Sequence, residues 1–257
     1  MQKDGKYVYC IIASDCESNF DCTGVGGDDD LVTTIGFREL SMVVSSHPLN
    51  KLAITPENIL AHQKVIETVM KEHNRVIPVK FGTIAATPDE IRNLLDRKYG
   101  EFSEILNSFE NKVELNIRGT WKAMPDIYEE INSDNTELQA MKKRINKLAE
   151  SDKKNEEIVK TGMLVEKALM QKKEDEAETI CDMFKKIYSA FRQNKTGSDS
   201  MFMNTAFLVS SGREVEIDNI MSDIGAQFKN RYDFVYTFPL PVFNFVNLVI
   251  IPETWEM

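Results

Sequence analysis

The side chains of this 257-residue sequence best suited to metal or nucleophilic chemistry are three histidines and four cysteines. Their spacing argues against both uses. His62 and His73 are eleven residues apart, which on a helix returns to nearly one face after three turns but leaves ~16 Å of rise between them. They cannot share one metal, and each reads as a satisfied surface or core histidine rather than a ligand or base. Cys10, Cys16 and Cys22 recur every six residues and Cys181 stands alone. That pattern matches no tight zinc-binding spacing, and no histidine lies nearby to complete a tetrahedral site. The cysteines read as incidental, with redox or metal use as the alternative. Gly24-Val25-Gly26-Gly27 suggests a phosphate-cradling loop, yet Asp28-Asp29-Asp30 follows at once and would repel a phosphate. The same aspartates lack the alternate-residue spacing and closing bidentate glutamate of a calcium loop, so a solvated loop is expected. GxGxxG, GxxxxGK(S/T), GxSxG and HExxH are all absent. No catalytic, cofactor or metal site is expected, and the chain is read as a non-enzyme.

The bulk composition agrees with a binding role. Hydrophobic residues make up 42% and charged residues 28%, ordinary values for a folded globular protein. Thirty-one basic against 41 acidic residues leave a formal charge of -10, which repels nucleic acid and anionic lipid in the absence of a basic patch. Neither is expected as a partner. The first apolar run ends at Ala13 and is followed by Asp15 and Glu17, too short for a signal or membrane helix. The expected location is the cytosol, where thiols stay reduced.

The elements that would position these residues follow from periodicity. KYVYCIIA, residues 6–13, is rich in aromatic and β-branched residues and predicts a strand; residues 15–30 have loop composition. Residues 31–35 and 39–45 predict a hairpin turning at Gly36-Phe37. From Thr55 the spacing becomes helical to about His73, with Pro56 in the first turn and Ile59, Leu60, Val65, Ile66, Val69 and Met70 as the apolar stripe. Residues 76–81 are extended because Pro78 lacks a donor and pushes Ile77 from helical angles, and Gly82 ends the segment. Thr87-Pro88-Asp89-Glu90 is a helix start with a capping box. Phe102, Ile105, Leu106 and Phe109 mark a second helix. KVELNIRGTW, from Lys112, alternates Val113, Leu115 and Ile117 inward against Glu114, Asn116 and Arg118 outward.

From Pro125 to about Asn194 the sequence is charged and helical, with Gly162 its one glycine. Leu138, Met141, Ile145 and Leu148 form the seam of a helix pair. Met201 to Ser210 is a strand, Val215, Ile217, Ile220, Met221 and Ile224 line a helix, residues 233–238 form a strand, and residues 242–250 make an apolar close. The aromatics Phe202, Phe207, Phe234, Tyr236, Phe238, Phe243 and Phe245 read as core, any surplus marking a protein contact. The expectation is an α+β fold of two domains. Residues 1–124 are a ferredoxin-like sandwich with helices on one face of a mainly antiparallel sheet, residues 125–196 a coiled-coil-like helical arm, and residues 197–257 a small α+β domain.

Several of these segments, in order, resemble the gas vesicle protein F/L family (GvpF/GvpL). KYVYCIIA is similar to the family's first strand, ILAHQKVIETVM with His62 to its first long helix, and KVELNIRGTW to the strand closing its first domain. In VIPVKFGT, residues 76–83, Pro78, Phe81, Gly82 and Thr83 match the pattern lPvrFGT. NTAFLV, residues 204–209, resembles naAFLV. The tail departs: Phe238, Leu240, Val242 and Phe243 replace the Gly, Trp, second Pro and Tyr of GPWPPYSF. The resemblance implies a two-domain accessory protein of gas-vesicle assembly that binds the small hydrophobic shell protein GvpA and other gas vesicle proteins, without catalysis, in the cytoplasm and at the vesicle. Its partner-binding surface is expected around Pro78, Lys80, Phe81, Gly82 and Thr83. The competing structural reading lets Pro78 and Gly82 shape a strand end and turn while Phe81 fills the core. A small-molecule sensor or enzyme on ferredoxin-like domains is the alternative function. It would need a pocket of convergent polar residues.

Overall fold

The computed structural model describes residues 4–27, 30–246, 248 and 250. Asp28 and Asp29 of the acidic run, and Asn247 and Val249 of the apolar close, lie outside them. The described residues of 1–114, 208–212 and 238–257 form one compact unit, and those of 115–207 and 213–237 form a second.

The first unit is built on strand β1 (Asp4–Ala13). Tyr7 through Ile12 is buried without a break, because helices cover both faces of the sheet rather than the single face expected. The sheet runs β2 (Asn19–Thr23), β3 (Leu31–Phe37), β4 (Leu40–Pro48), β1, β5 (Val76–Pro78), and β6 (Ile84–Ala85) also pairs with β1. The register between β1 and β4 shifts between Val8 and Cys10, so Tyr9 and Cys10 both turn to one face. On that face Tyr7, Tyr9, Cys10 and Ile12 pack with Val65, Ile66 and Val69 of helix α1 (Pro56–Glu72). On the other, Val8 and Ile11 meet Ile91, Leu95, Phe102 and Leu106 of α2 (Pro88–Arg97) and α3 (Tyr99–Ser108). Each such aliphatic side chain stabilises the unit by roughly 1.5–3 kcal/mol.

Local chemistry sets the helix starts as expected. Thr55 caps α1 by accepting from Asn58 N at 3.3 Å, and Thr87 caps α2 by accepting from Glu90 N at 3.2 Å. Two expectations fail for tertiary reasons. The hairpin turns at Arg38-Glu39, with Gly36 inside β3 opposite Ser41, because Arg38 stacks on Phe37 and Tyr99 and Glu39 accepts from the Tyr99 hydroxyl. Residues 19–23, read as loop, form edge strand β2, anchored by buried Phe20.

The second unit carries most of the residues of the remaining elements. Strand β7 (Lys112–Trp121) does not close the first sheet but belongs to another, in the order β10 (Tyr232–Leu240), β7, β9 (Met201–Ser210), β8 (Tyr188–Gln193). Alternation identifies a strand and its inner face; it does not choose the neighbour. Helices α4 (Met124–Asp134), α5 (Thr136–Ile145) and α6 (Asp152–Met183) form the charged helical stretch, with Leu138 buried where α5 packs on α6. The stretch ends sooner than expected, since Tyr188 and Phe191 of β8 pack their rings near Phe207 of β9. Arg231 makes a two-point ion pair to Glu130 of α4, at 2.7 and 2.8 Å, and reaches Glu176 of α6 at 2.5 Å. Helix α7 (Glu214–Gln227) buries Ile217, Met221 and Ile224, but Val215 is 74% exposed because two residues turn the helix by about 200°.

Candidate functional site

Strands β5 and β6 pair with one side of β1: Ile77 opposite Ile11, and Ile84 opposite Tyr7. Val79 to Thr83 lie between them and leave the sheet as a loop. Its feet are fixed by backbone bonds, Val79 N to Tyr9 O and Val8 N to Thr83 O, both 2.9 Å. Inside the loop the Thr83 hydroxyl donates to Lys80 O at 2.7 Å, and Gly82 adopts φ +85, a left-handed geometry that suits glycine.

Beneath the loop lies a hydrogen-bond chain that none of its residues advertises in isolation. His62 Nε2 sits 3.1 Å from Val79 O, and a carbonyl only accepts, so Nε2 carries the proton. Nδ1 of the neutral ring is therefore the acceptor, and the Tyr7 hydroxyl, 3.0 Å away, donates to it. Tyr7 in turn accepts from Gly82 N at 3.0 Å. Every polar atom of this chain is used. Burial lowers the His62 pKa to about 4, against the opposing bond to Val79, and pushes the Tyr7 phenol up to about 12. His62, 2% exposed, is thus a neutral clamp on the loop and not an available base.

The five expected surface residues take different places. Pro78 is buried in edge strand β5, where its missing donor is tolerated. Lys80 is exposed, and Gly82 and Thr83 are half-buried. Phe81 is half-buried, with its ring edge-on to His62 at 5.7 Å and to Tyr7 at 6.3 Å. Phe243 also packs against His62, at 6.2 Å, and is 39% exposed. Ile59, one helical turn before His62, is 42% exposed; it and Leu60 were expected in the buried stripe. Phe81 and Phe243 both pack against the ring of neutral His62 and leave part of their apolar surface exposed, which suits a protein contact. These side chains offer no nucleophile.

Tyr7, Tyr9 and Glu114 were not singled out by the sequence reading. Tyr hydroxyls on a buried strand require partners, and that requirement was the available signal. Glu114, expected to face outward, is 2% exposed and binds the closing segment: Oε2 accepts from Asn244 N at 2.9 Å and Oε1 from Asn244 Nδ2 at 2.6 Å. Burial raises its carboxyl pKa.

The described residues of the glycine-rich loop are tied down by hydrogen bonds to one another and to strands β1 and β4. Asp30 Oδ2 accepts from Gly26 N at 3.0 Å, Asp30 Oδ1 from Ser46 N at 3.0 Å, and the Tyr9 hydroxyl from Val25 N at 2.9 Å. Cys10 is buried, Cys16 exposed, Cys22 half-buried and Cys181 buried. Among the described residues no three His, Cys, Asp or Glu side chains are grouped to hold a metal, and no helix is long and apolar enough to cross a membrane.

Comparison with known proteins adds the family. A family model described as gas vesicle synthesis protein GvpL/GvpF matches residues 5–247. Gas vesicle protein F of Microcystis aeruginosa is 21% identical over 95% of this chain and 99% of its own length. Gas vesicle protein F1 of Halobacterium salinarum is 24% identical over 95% of this chain and 93% of its own. The crystal structure of GvpF from Anabaena sp. PCC7120 superposes with a TM-score of 0.80 at 19% identity, covering 96% of this chain and all of that one, a likeness of fold. The mixed α/β fold and the match along nearly all of the sequence place this chain in the GvpL/GvpF family of gas vesicle synthesis proteins.

Proposed function

We propose that this chain is a non-catalytic assembly protein of gas vesicles that binds the shell protein GvpA and other gas vesicle proteins, working in the cytoplasm and at the vesicle. The observation that carries the reading is the loop of Val79 to Thr83, tied to β1 and to His62 of α1 by a buried clamp, with half-buried Phe81 and partly exposed Phe243 both against the His62 ring and Lys80 exposed. A polymerising shell subunit displays apolar surface and strand edges, and an acidic binder with such a contact surface shields them before assembly. Pro78, Gly82 and Thr83 shape the loop; Lys80 and Phe81 make the contact.

The test is co-purification of the tagged chain with GvpA from vesicle-forming cells. Wild type should retain GvpA, and a Lys80→Glu/Phe81→Ala double variant with an unchanged urea midpoint should lose it. Equal retention by both chains, or none by either, overturns the reading.

The rival, a small-molecule binder, has one observation in its favour. A cavity of about 280 Å³ lies between α6 and the β8–β9 hairpin, lined by Met170, Ala177 and Phe202 with Lys173, Asn204 and Thr205. A metabolite that stays with the purified chain would support it.

A further inference from the structure

Strand β10 ends at Leu240, and the chain then turns back on itself. Phe243 N donates to Pro241 O at 2.8 Å, and Phe245 N and Val246 N both donate to Val242 O, at 3.0 and 3.1 Å. This turn, Val242 to Val246, carries Phe243 onto the His62 ring and sets Val246 against the apolar core that faces α2 and α3. Val242 is buried, and the four residues after it are exposed in part.

A side chain from outside the turn anchors it. Glu114 of β7, 2% exposed, accepts from Asn244 N through Oε2 and from Asn244 Nδ2 through Oε1. Both donors are neutral. Lys112, two residues along and on the same face of β7, directs its ammonium to Ser210 Oγ at 3.2 Å. Lys71, Glu72 and His73 at the end of α1 line a pocket with Val113 and Val242, yet no charged group acts on the Glu114 carboxyl. The strands flanking β7 bring no charge to it either: β9 has none, and residues 234–246 have none.

A carboxylate held out of water by neutral donors and no cation is costly. Burial is the larger influence on Glu114 and the two bonds from Asn244 the smaller, so its carboxyl pKa is raised. When the turn lifts away, the carboxylate meets water and that cost is relieved. The ionised group therefore favours the lifted turn, and a neutral group in its place favours the seated one.

We propose that Val242 to Val246 is a latch over His62, poised to open because its anchor is a buried anion without a counter-charge. Its movement carries Phe243, so the latch regulates the surface assigned above to protein contact; that role rests on the earlier reading, whereas the opening itself does not. A partner that touches both Phe81 and Phe243 holds the latch shut, and an open latch withdraws part of the contact surface.

Hydrogen exchange of the full chain without any partner tests the latch, and its outcome is independent of GvpA binding. The amides of Phe243, Asn244, Phe245 and Val246 are all hydrogen-bonded, so each exchanges when the turn opens. In the wild type they should exchange far faster than the amides of Val43 and Val44, buried in β4. Glu114→Gln keeps both contacts, since its carbonyl accepts from Asn244 N and its amide donates to Asn244 Oδ1 once that side chain flips. It removes the anion, so exchange of the turn should slow several-fold. Asn244→Ala removes one donor and should speed it. Unchanged or faster exchange in Glu114→Gln overturns the proposal, because the carboxylate would then be a plain structural anchor. So does wild-type protection of the turn equal to that of β4, an Asn244→Ala turn no faster than wild type, or a change in Glu114→Gln spread equally over β4 and the turn, which reports global stability alone.

Discussion

Acid should destabilise the first unit through His62. The ring is buried and neutral, with Nδ1 accepting from Tyr7 and Nε2 donating to Val79. Protonating Nδ1 places a charge in the core and turns the acceptor of the Tyr7 hydroxyl into a donor. The folded-state pKa, about 4, lies below the usual 6.5, so the unfolded chain binds the proton more readily. The sign follows: stability is full above pH 6.5 and falls as the pH drops from 6.5 through about 4. At about 1.4 kcal/mol per unit, the whole interval corresponds to about 3 kcal/mol, most of it lost by about pH 4.5. Urea unfolding followed by circular dichroism at about pH 7 and about pH 4.5 measures the loss in wild type. His62→Gln keeps a polar side chain without a titrating ring, and should be weaker at neutral pH but lose about 2 kcal/mol less on acidification. Other groups titrate equally in both chains and cancel in the comparison. If the two proteins change in parallel, within about 0.5 kcal/mol, the buried clamp is not what the geometry says.

Two further outcomes follow from other parts of the molecule. Arg231→Met should leave Glu130 and Glu176 without their shared guanidinium, and because the site is about a third exposed the cost should be about 1–3 kcal/mol, seen as a fall of several degrees in Tm. An unchanged Tm would show that Lys172, which pairs with Glu130 at 2.7 Å, carries the network alone. Alkylation of the native chain, read by mass spectrometry, should modify Cys16 first and Cys22 next, with Cys10 and Cys181 protected until unfolding; early labelling of Cys10 would contradict the burial of β1. The hydrogen bond from the Cys16 thiol to Asp15 raises its pKa, so even this site should react more slowly than a free thiol.

Much of the fold was legible because its signals are local. Periodicity placed α1 and β9, threonine-proline pairs fixed the starts of α1 and α2, and the unbroken apolar run of KYVYCIIA marked the central strand. Signals failed where a partner distant in sequence decided the outcome. Gly36 lost the hairpin turn to Arg38 and Glu39 because Tyr99 holds the tip. Glu114 looked outward by alternation and is buried because Asn244 supplies both of its hydrogen bonds.

The candidate site divides in the same way. VIPVKFGT could be read from the sequence as a strand end, a glycine turn and an aromatic, since proline and glycine restrict or free the backbone by themselves. That His62 and Tyr7 clamp the loop from beneath, and that Phe243 joins Phe81 over the same ring, could not be read, because these side chains come from α1, β1 and the closing segment. Residue types and spacing determine which elements form and which chemistry is missing from the list of possibilities. Packing alone decides which imidazole and which backbone N–H meet the Tyr7 hydroxyl, as these contacts join residues 55 and 75 positions apart, and chain order carries no record of them.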